Sequence, residues 1–433
     1  MSETFFIEGG RVLDPASGVD GVRTVVVRDG RIAEVAERVE RPRDARTIDA
    51  RGRWVTPGFV DLHVHLREPG QEYKETIETG ARAAVAGGFT AVCAMPNTRP
   101  VNDNASVTEL MLARAAAAGL ARVYPVGAIS RGSEGQELAE YGELQAAGCV
   151  ALSDDGRPVM SSALMRRALE YARAFELPLT VHEEDLGLVG KGVMHEGPTS
   201  TRLGLTGIPG AAEDVMVLRD LALAELTGGR LHLAHLSTRG AVRAVREAKR
   251  RGLRVTAEVT PHHLVLTDED VARSGYSTDF KMAPPLRSAE DVAAVREGLA
   301  DGTIDAIATD HAPHSAVEKE VEFDAAANGI IGLETAFPVC LALVREGHLS
   351  ERRLVEALTS GPAATFGLPG GTLAKGAPAD VTLLDPAAIW TMEPGSIRSR
   401  SRNSPWKGAR LVGRCVLTMV GGRIVYEEGK VEA

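Results

Sequence analysis

The chain is poor in aromatic residues, which make up 4% of its 433 positions, and it has only four cysteines. Cys93, Cys149, Cys340 and Cys415 lie far apart and form no C-x-x-C pair. That argues against a thiolate metal site and suits a reducing compartment. No apolar run approaches the ~20 residues of a membrane span, so no membrane partner is expected. The N-terminal MSETFFIEGGRVLDP has no positively charged segment leading into an apolar one, so no signal peptide is expected either. With a formal charge of −10 there is no excess of positive charge to attract nucleic acid. The one basic run, Arg398 to Arg402, reads as a solvated loop. The chain reads as cytoplasmic. Ala, Gly and Val are abundant, as in soluble globular proteins, and the length allows one large domain or two.

The two ends of the chain resemble each other. FIEGGRVLDP (6–15), TVVVRDGRIAEVA (24–36) and LTMVGGRIVYEEGKV (417–431) are apolar runs broken by Asp-Gly or Gly-Gly before an arginine. Such breaks signal β-hairpins. GTLAKGAPADVTLLDP (371–386) adds a further strand with turns. Residues 1–55 and 368–433 are therefore expected to form one small composite β domain, a β-sandwich built from both termini. Between them, residues 56–367 alternate strand and helix. Strands are expected at 55–66, 89–97, 122–130, 149–155, 177–184, 230–237, 253–264 and 304–314. The helical stretches between them, such as KETIETGARAAVAGG, close on glycine. Apolar runs this continuous suit strands buried on both faces of a parallel sheet. Eight such units make a (β/α)8 barrel, an α/β fold whose active site lies at the C-terminal ends of the strands. An open doubly wound sheet is the alternative, but no glycine-rich fingerprint follows the first strand.

The strand ends carry the chemistry. The first closes on His63 and His65, which point to one side because alternate strand residues share a face. The fourth closes on Asp154 and Asp155, the fifth on His182, the sixth on His235 and the eighth on Asp310. A barrel brings these ends to one mouth. Buried together, four imidazoles and two carboxylates call for a cation. The donor set suits zinc or a similar divalent ion and is large enough for two. No lysine occurs from Gly142 to Arg166, so a carboxylated lysine at the fourth strand is excluded and an aspartate must do any bridging. His232, an odd number of positions from His235, is expected to face the helices. His262 and His263 suit packing or support of the ligands, and His195 and His348 suit the surface.

Six segments, GFVDLHVHLREPGQEYKETIETG, AVAGGFTAVCAMPNT, SDDGRPV, APPLR, ATDHAPH and GLETAFP, carry a resemblance that runs nearly end to end. In them the chain resembles the dihydroorotases of the amidohydrolase superfamily, in the bacterial type with a bridging aspartate. The resemblance implies two Zn2+ per chain. His63 and His65 would hold one ion, His182 and His235 the other, with Asp155 rather than Asp154 bridging and Asp310 beside the first. It implies reversible hydrolysis of the cyclic amide of dihydroorotate to N-carbamoyl-L-aspartate in pyrimidine biosynthesis. A metal-activated hydroxide would attack the carbonyl, and the catalytic Asp310 would carry the proton to the leaving nitrogen. Arg67, Asn97 and His314 would grip the ring carboxylate, since a guanidinium holds a carboxylate bidentately. His65, Ala283, Asn328 and Gly329 would touch the substrate as well. Ala283 stands where the family often has Asn, and Asn328 where it often has Phe. The segment from Ser315 to Ala327 is expected to act as a mobile lid. A homo-oligomer is expected, and a complex with aspartate transcarbamoylase occurs in some relatives. The competing expectations are another cyclic amidase, hydantoinase-like or allantoinase-like, and an inactive barrel serving as a scaffold.

Overall fold

The computed structural model describes residues 4–42 and 45–432. Eight parallel strands run in sequence order around a nearly closed barrel: Phe59–Val64, Phe89–Ala94, Arg122–Ala128, Ala151–Ser153, Leu179–Val181, Leu231–Leu233, Val255–Val259 and Ala306–Ile307. The (β/α)8 barrel expected from the alternation is what forms. Helices cover the strands because local signals start and stop them in register. Thr76 caps the helix Ile77–Gly87 through a capping box with Thr79, and Gly88 ends it at φ 94°. Asn104, Ser161, Thr238 and Ser288 each cap a later helix with a side chain that accepts a backbone N–H of its first turn. The first strand is buried along its whole length. Phe59 packs edge-on to Phe89 with ring centroids 5.6 Å apart, between barrel and helices. Each such aromatic contributes about 1.5–3 kcal/mol of burial.

A seam between the first and last strands sets the mouth. Asp61, fully buried, accepts hydrogen bonds from Thr309 N at 3.1 Å, Thr309 Oγ1 at 2.6 Å and His63 N at 3.0 Å. Two residues on, His65 N donates to His311 O at 2.9 Å. These bonds fix His63 and His65 opposite Asp310.

The terminal segments build two facing sheets. The smaller contains Thr4–Glu8, Thr24–Arg28, Arg31–Ala36 and Arg46–Asp49. The larger joins Arg11–Asp14, Val19–Val22 and Trp54–Pro57 to Val381–Thr391, Arg410–Val420, Arg423–Glu427 and Lys430–Val431. Phe5, Ile7, Val25, Val27, Leu383, Leu417 and Met419 meet between them. Two of the three Gly-containing breaks are hairpins: Arg28 pairs with Arg31 and Val420 with Arg423, with positive φ at Asp29, Gly30, Gly421 and Gly422. The break at Gly9–Gly10 is not. It carries the chain from one sheet to the other, so Thr4–Glu8 and Arg11–Asp14 never pair.

Two further expectations are corrected. The strand foreseen at 55–66 is two strands in two sheets, divided at Gly58, where an added Cβ would lie 2.2 Å from Thr90 Oγ1. The run Arg398 to Arg402 is a strap rather than a free loop. Its serines turn inward: Ser399 Oγ donates to Glu75, Arg400 N donates to Glu75 Oε1 at 2.9 Å, and Ser401 Oγ donates to Lys74 O at 2.7 Å. Arg400 and Arg402 stay exposed.

Asp14 clamps the two termini together. Its buried carboxylate accepts from Ser17 Oγ at 2.6 Å, Leu373 N at 2.8 Å and Thr372 Oγ1 at 3.0 Å. Asp14→Ala should lower stability by about 2–4 kcal/mol, since buried donors are left unpaired. An unchanged thermal unfolding midpoint would show that the clamp carries no weight.

Candidate metal centre

Five strand ends bring His63, His65, Asp155, His182, His235 and Asp310 together in one buried cluster. The backbone leaves strand geometry to aim them. His235 stands at φ 33°, Asp310 at φ 46° and Arg67 at φ 60°, a left-handed conformation costing roughly 1–3 kcal/mol at a non-glycine residue. Three residues that sequence already singled out thus share one strained feature.

The atoms converge at ligand spacing. His63 Nε2 lies 3.3 Å from Asp155 Oδ1 and 3.6 Å from Asp310 Oδ1. His65 Nε2 lies 3.0 Å from Asp310 Oδ1 and 3.5 Å from Asp155 Oδ2. His235 Nε2 is 3.6 Å from Asp155 Oδ1, and His182 Nδ1 is 3.0 Å from His235 Nε2 and 3.8 Å from Asp155 Oδ1. Two donor atoms sharing one tetrahedral ion at about 2.1 Å lie roughly 3.4 Å apart. Two sets of donors are close enough to hold an ion, His63 with His65 and Asp310, and His63 with Asp155 and His235. Asp155 lies within 3.8 Å of all four imidazoles.

On three of the four imidazoles the opposite nitrogen is held, while His235 Nδ1 is buried without a partner. His63 Nδ1 contacts Glu258 Oε1 at 2.9 Å, His65 Nδ1 contacts Asn97 Oδ1 at 2.8 Å, and His182 Nε2 contacts Glu184 Oε2 at 3.2 Å. An acceptor behind an imidazole fixes its tautomer and turns the bare nitrogen inward, the usual support of a metal-ligating histidine. His63 Nε2 and Asp155 Oδ1 are buried with no hydrogen-bond partner. Buried polar atoms are rarely left so, and this orphaned pair fits a cation. The charges agree. Burial works against ionising Asp155, yet His63 and the neighbouring imidazoles hold its carboxyl well below the usual range. Burial works against a charged His63, but Asp155 and Asp310 hold its pKa well above normal.

Asp154 does not join the cluster. Its carboxylate turns to the end of the third strand and accepts from Ile129 N at 2.9 Å, Ser130 N at 3.1 Å and Ser130 Oγ. Burial pushes its carboxyl up to about 6, against those hydrogen bonds.

Beside the cluster, Arg67 is buried, donates from Nε to Pro313 O at 3.2 Å and lies 3.4 Å from His314 Nε2. Burial, with Arg67 and Lys74 nearby, pushes His314 down to about 3, so it is neutral at physiological pH. Asn97 sits against His65, and its Nδ2 is 3.4 Å from Asp155 Oδ2. Gly329 packs so tightly that an added Cβ would lie 2.5 Å from Ala312 O and 2.6 Å from the His314 ring. Ala283 is half-buried and Asn328 exposed. The segment from Ser315 to Ala327 is pinned by Glu318, 2.6 Å from Lys74 Nζ, and by the buried Lys319, whose Nζ donates to Ala327 O and Gly329 O.

His232 overturns its expectation. It is fully buried with Nε2 3.0 Å from Glu258 Oε2, the carboxylate that supports His63. Strand alternation ends at Leu233, and the left-handed turn at His235 breaks the parity that sent His232 outward. His195 is half-buried, 3.5 Å from Arg287 Nη1, while His348 is exposed. His263 is tied to Thr260 Oγ1 and Pro284 O, and His262 is buried beside it with Nε2 unpartnered. Glu258 and Glu184 were missed. Glu258 sits mid-strand in an apolar run, where a carboxylate is out of place without a partner, and that was the available signal. Burial works against its ionisation, yet His232 and His63 hold it at about 2.

Residues 52–241 match the family model described as dihydro-orotase-like. The chain is 82% identical over 432 residues to a dihydroorotase of Anaeromyxobacter sp. (strain K), covering 100% of both chains. It is 58% identical to a dihydroorotase of Syntrophotalea carbinolica, over 97% of this chain and 98% of that one. Among solved structures, an L-hydantoinase (dihydropyrimidinase) from Arthrobacter aurescens superposes with a TM-score of 0.89 at 28% identity, over 100% of this chain and 98% of that one.

The cluster geometry separates the two adjacent aspartates. Asp155→Ala should strip metal from the purified protein, whereas Asp154→Ala should keep it and lose stability. Glu258→Ala should weaken metal affinity about 10–100-fold, the range for removing a ligand's supporting partner. Metal analysis checks all three, and full metal content in Asp155→Ala would remove that residue from the centre.

Proposed function

The chain belongs to the dihydroorotase family of cyclic amide hydrolases, and from that premise we infer that its mouth interconverts dihydroorotate and N-carbamoyl-L-aspartate. The orphaned pair His63 Nε2 and Asp155 Oδ1, ringed by supported imidazoles, is the observation that carries the metal part of this reading. In it His63, His65 and Asp310 would hold one zinc ion and His182 and His235 a second, with Asp155 available to both. Bound divalent ions supply Lewis acidity at the amide carbonyl and lower the pKa of water. The chain's own residues do the rest. In ring closure, Arg67 and the neutral His314 hold the carboxylate that stays on the ring, and Asn97 steadies His65. Asp310, ionised among imidazoles, would in hydrolysis take the proton of the attacking water and pass it to the departing amide nitrogen. In ring closure it would take the proton from that nitrogen and pass it to the oxygen that leaves as water. The segment from Ser315 to Ala327, tethered through Glu318 and Lys319, would act as the mobile lid that keeps water from the mouth.

The same proposal takes residues 56–367 as the catalytic domain and 1–55 with 368–433 as the composite β domain. It includes a cytoplasmic location, since no helix among the described residues is long and apolar enough to cross a membrane and all four cysteines are buried and free. It includes self-association, and a complex with aspartate transcarbamoylase as a further partner. The likeness to an L-hydantoinase favours a second reading, a cyclic amidase for uncharged rings. Arg67 discriminates between them. Assays on dihydroorotate and hydantoin, with metal measured on the same preparation, test the choice, and turnover of hydantoin alone would reverse it.

Arg67→Met should weaken dihydroorotate turnover far more than that of dihydrouracil, by about 2–5 kcal/mol in kcat/KM, the loss when a buried charge pair is broken. Equal losses on both substrates would make Arg67 structural. Asp310→Asn should lower kcat by at least ~10²-fold with the His182 and His235 ion retained; near-normal turnover would take Asp310 out of the proton path.

A further inference from the structure

The interior of a (β/α)8 barrel is normally filled by branched apolar side chains. Here a polar column runs along part of it. In the strands Leu231–Leu233 and Val255–Val259, the side chains of Leu231, Leu233, Val255 and Ala257 pack outward among the helices. Alternation therefore turns His232, Thr256 and Glu258 inward. His232 Nδ1 lies 2.8 Å from Thr256 Oγ1, His232 Nε2 lies 3.0 Å from Glu258 Oε2, and Glu258 Oε1 lies 2.9 Å from His63 Nδ1. His232, Glu258 and His63 are fully buried. Thr256 is half-buried and lines a cavity of about 610 Å³ beside Leu231 and Val255, the first residues of their strands. The column thus joins the mouth to the opposite end of the barrel.

We propose that His232 is a positioning residue for the metal centre, locking Glu258 and through it the ring of His63. The inference rests on the metal reading above and extends it to a residue outside the cluster. Each oxygen of Glu258 faces one imidazole nitrogen, so the carboxylate cannot turn without losing a partner. His232 is itself held from two sides, by Thr256 Oγ1 and by the ring of Phe366, edge-on with centroids 5.3 Å apart. With both bonds to Glu258 made, the His63 ring has one orientation, and its Nε2 points at Asp155 and Asp310. Without His232, one oxygen of a buried carboxylate has no donor. Glu258 is then free to swing, and His63 with it. Stability alone does not account for the column, because apolar residues of the same volume often serve a core as well as a buried ionic group does. A ligand nitrogen that has to be aimed closely does account for it.

Two substitutions at this position separate positioning from packing. His232→Leu fills the space without a donor, whereas His232→Gln keeps an amide N–H close to the place of the ring Nε2. Measured by competition with a chelator, His232→Leu should bind one zinc ion about 10–100-fold more weakly, the range for losing a ligand's supporting partner. His232→Gln should keep the wild-type affinity. The visible absorption of the cobalt-loaded chain reads ligand geometry rather than fold stability. It should shift in His232→Leu and match wild type in His232→Gln. Wild-type affinity or an unshifted cobalt spectrum in His232→Leu, or a His232→Gln as weak as His232→Leu, overturns the proposal. If His232→Leu does not fold, Thr256→Val carries the test from the half-buried end. Equal in shape but without the hydroxyl, it should weaken the same ion by about 2–10-fold, and unchanged affinity overturns the column. A wild-type chain that takes up no zinc overturns the metal reading itself, whereas zinc bound equally by all variants overturns only this inference.

Discussion

Two carboxylates, Asp155 and Asp310, lie buried among four imidazoles at the barrel mouth, and their need for positive charge is the constraint around which the mouth is organised. Away from water an ionised carboxylate is very unfavourable unless a cation or several donors face it. Here three of the four imidazoles, those of His63, His65 and His182, have their far nitrogens occupied by Glu258, Asn97 and Glu184. The inward atoms are therefore presented as lone pairs. That arrangement makes sense only around a cation, and the metal-dependent chemistry of the family follows from it.

The scaffold supplies precision at a cost in backbone strain. The Asp61 seam closes the barrel where the first and last strands each contribute to the cluster. The left-handed turns at His235, Asp310 and Arg67 redirect side chains at the strand ends. A regular strand offers only alternate faces, so a cluster drawn from five strands needs such departures to converge on one point. The strap from Arg398 to Arg402 adds the composite domain to this support. Through Ser399 and Arg400 it holds Glu75, which also lies 3.2 Å from His311, the residue next to Asp310.

Much of this was legible in the sequence because it is written in local patterns. Strand–helix alternation gave eight units and hence a barrel, and the residues at strand ends gave the cluster. The parts that were not legible depend on non-local geometry. Gly9–Gly10 looks like the hairpin breaks at Asp29–Gly30 and Gly421–Gly422, and only the packing of two sheets tells a crossover from a turn. His232 was sent outward by strand parity, which a single left-handed residue at His235 undoes. Glu258 is separated from His63 by nearly two hundred positions, and nothing near it in the chain announces that partner. Serines alternating with arginines at 398–402 looked like a charge run, yet the alternation is itself the signal of one face in and one face out.

Anomalous diffraction at the zinc edge, from crystals of the full chain grown with zinc, shows directly whether the barrel mouth is a two-metal centre. Two peaks should appear in the barrel mouth, one within bonding distance of His63, His65 and Asp310, the other of His182 and His235, with Asp155 reaching both. Peaks that avoid these residues, or an Asp155 bound to neither, would contradict it.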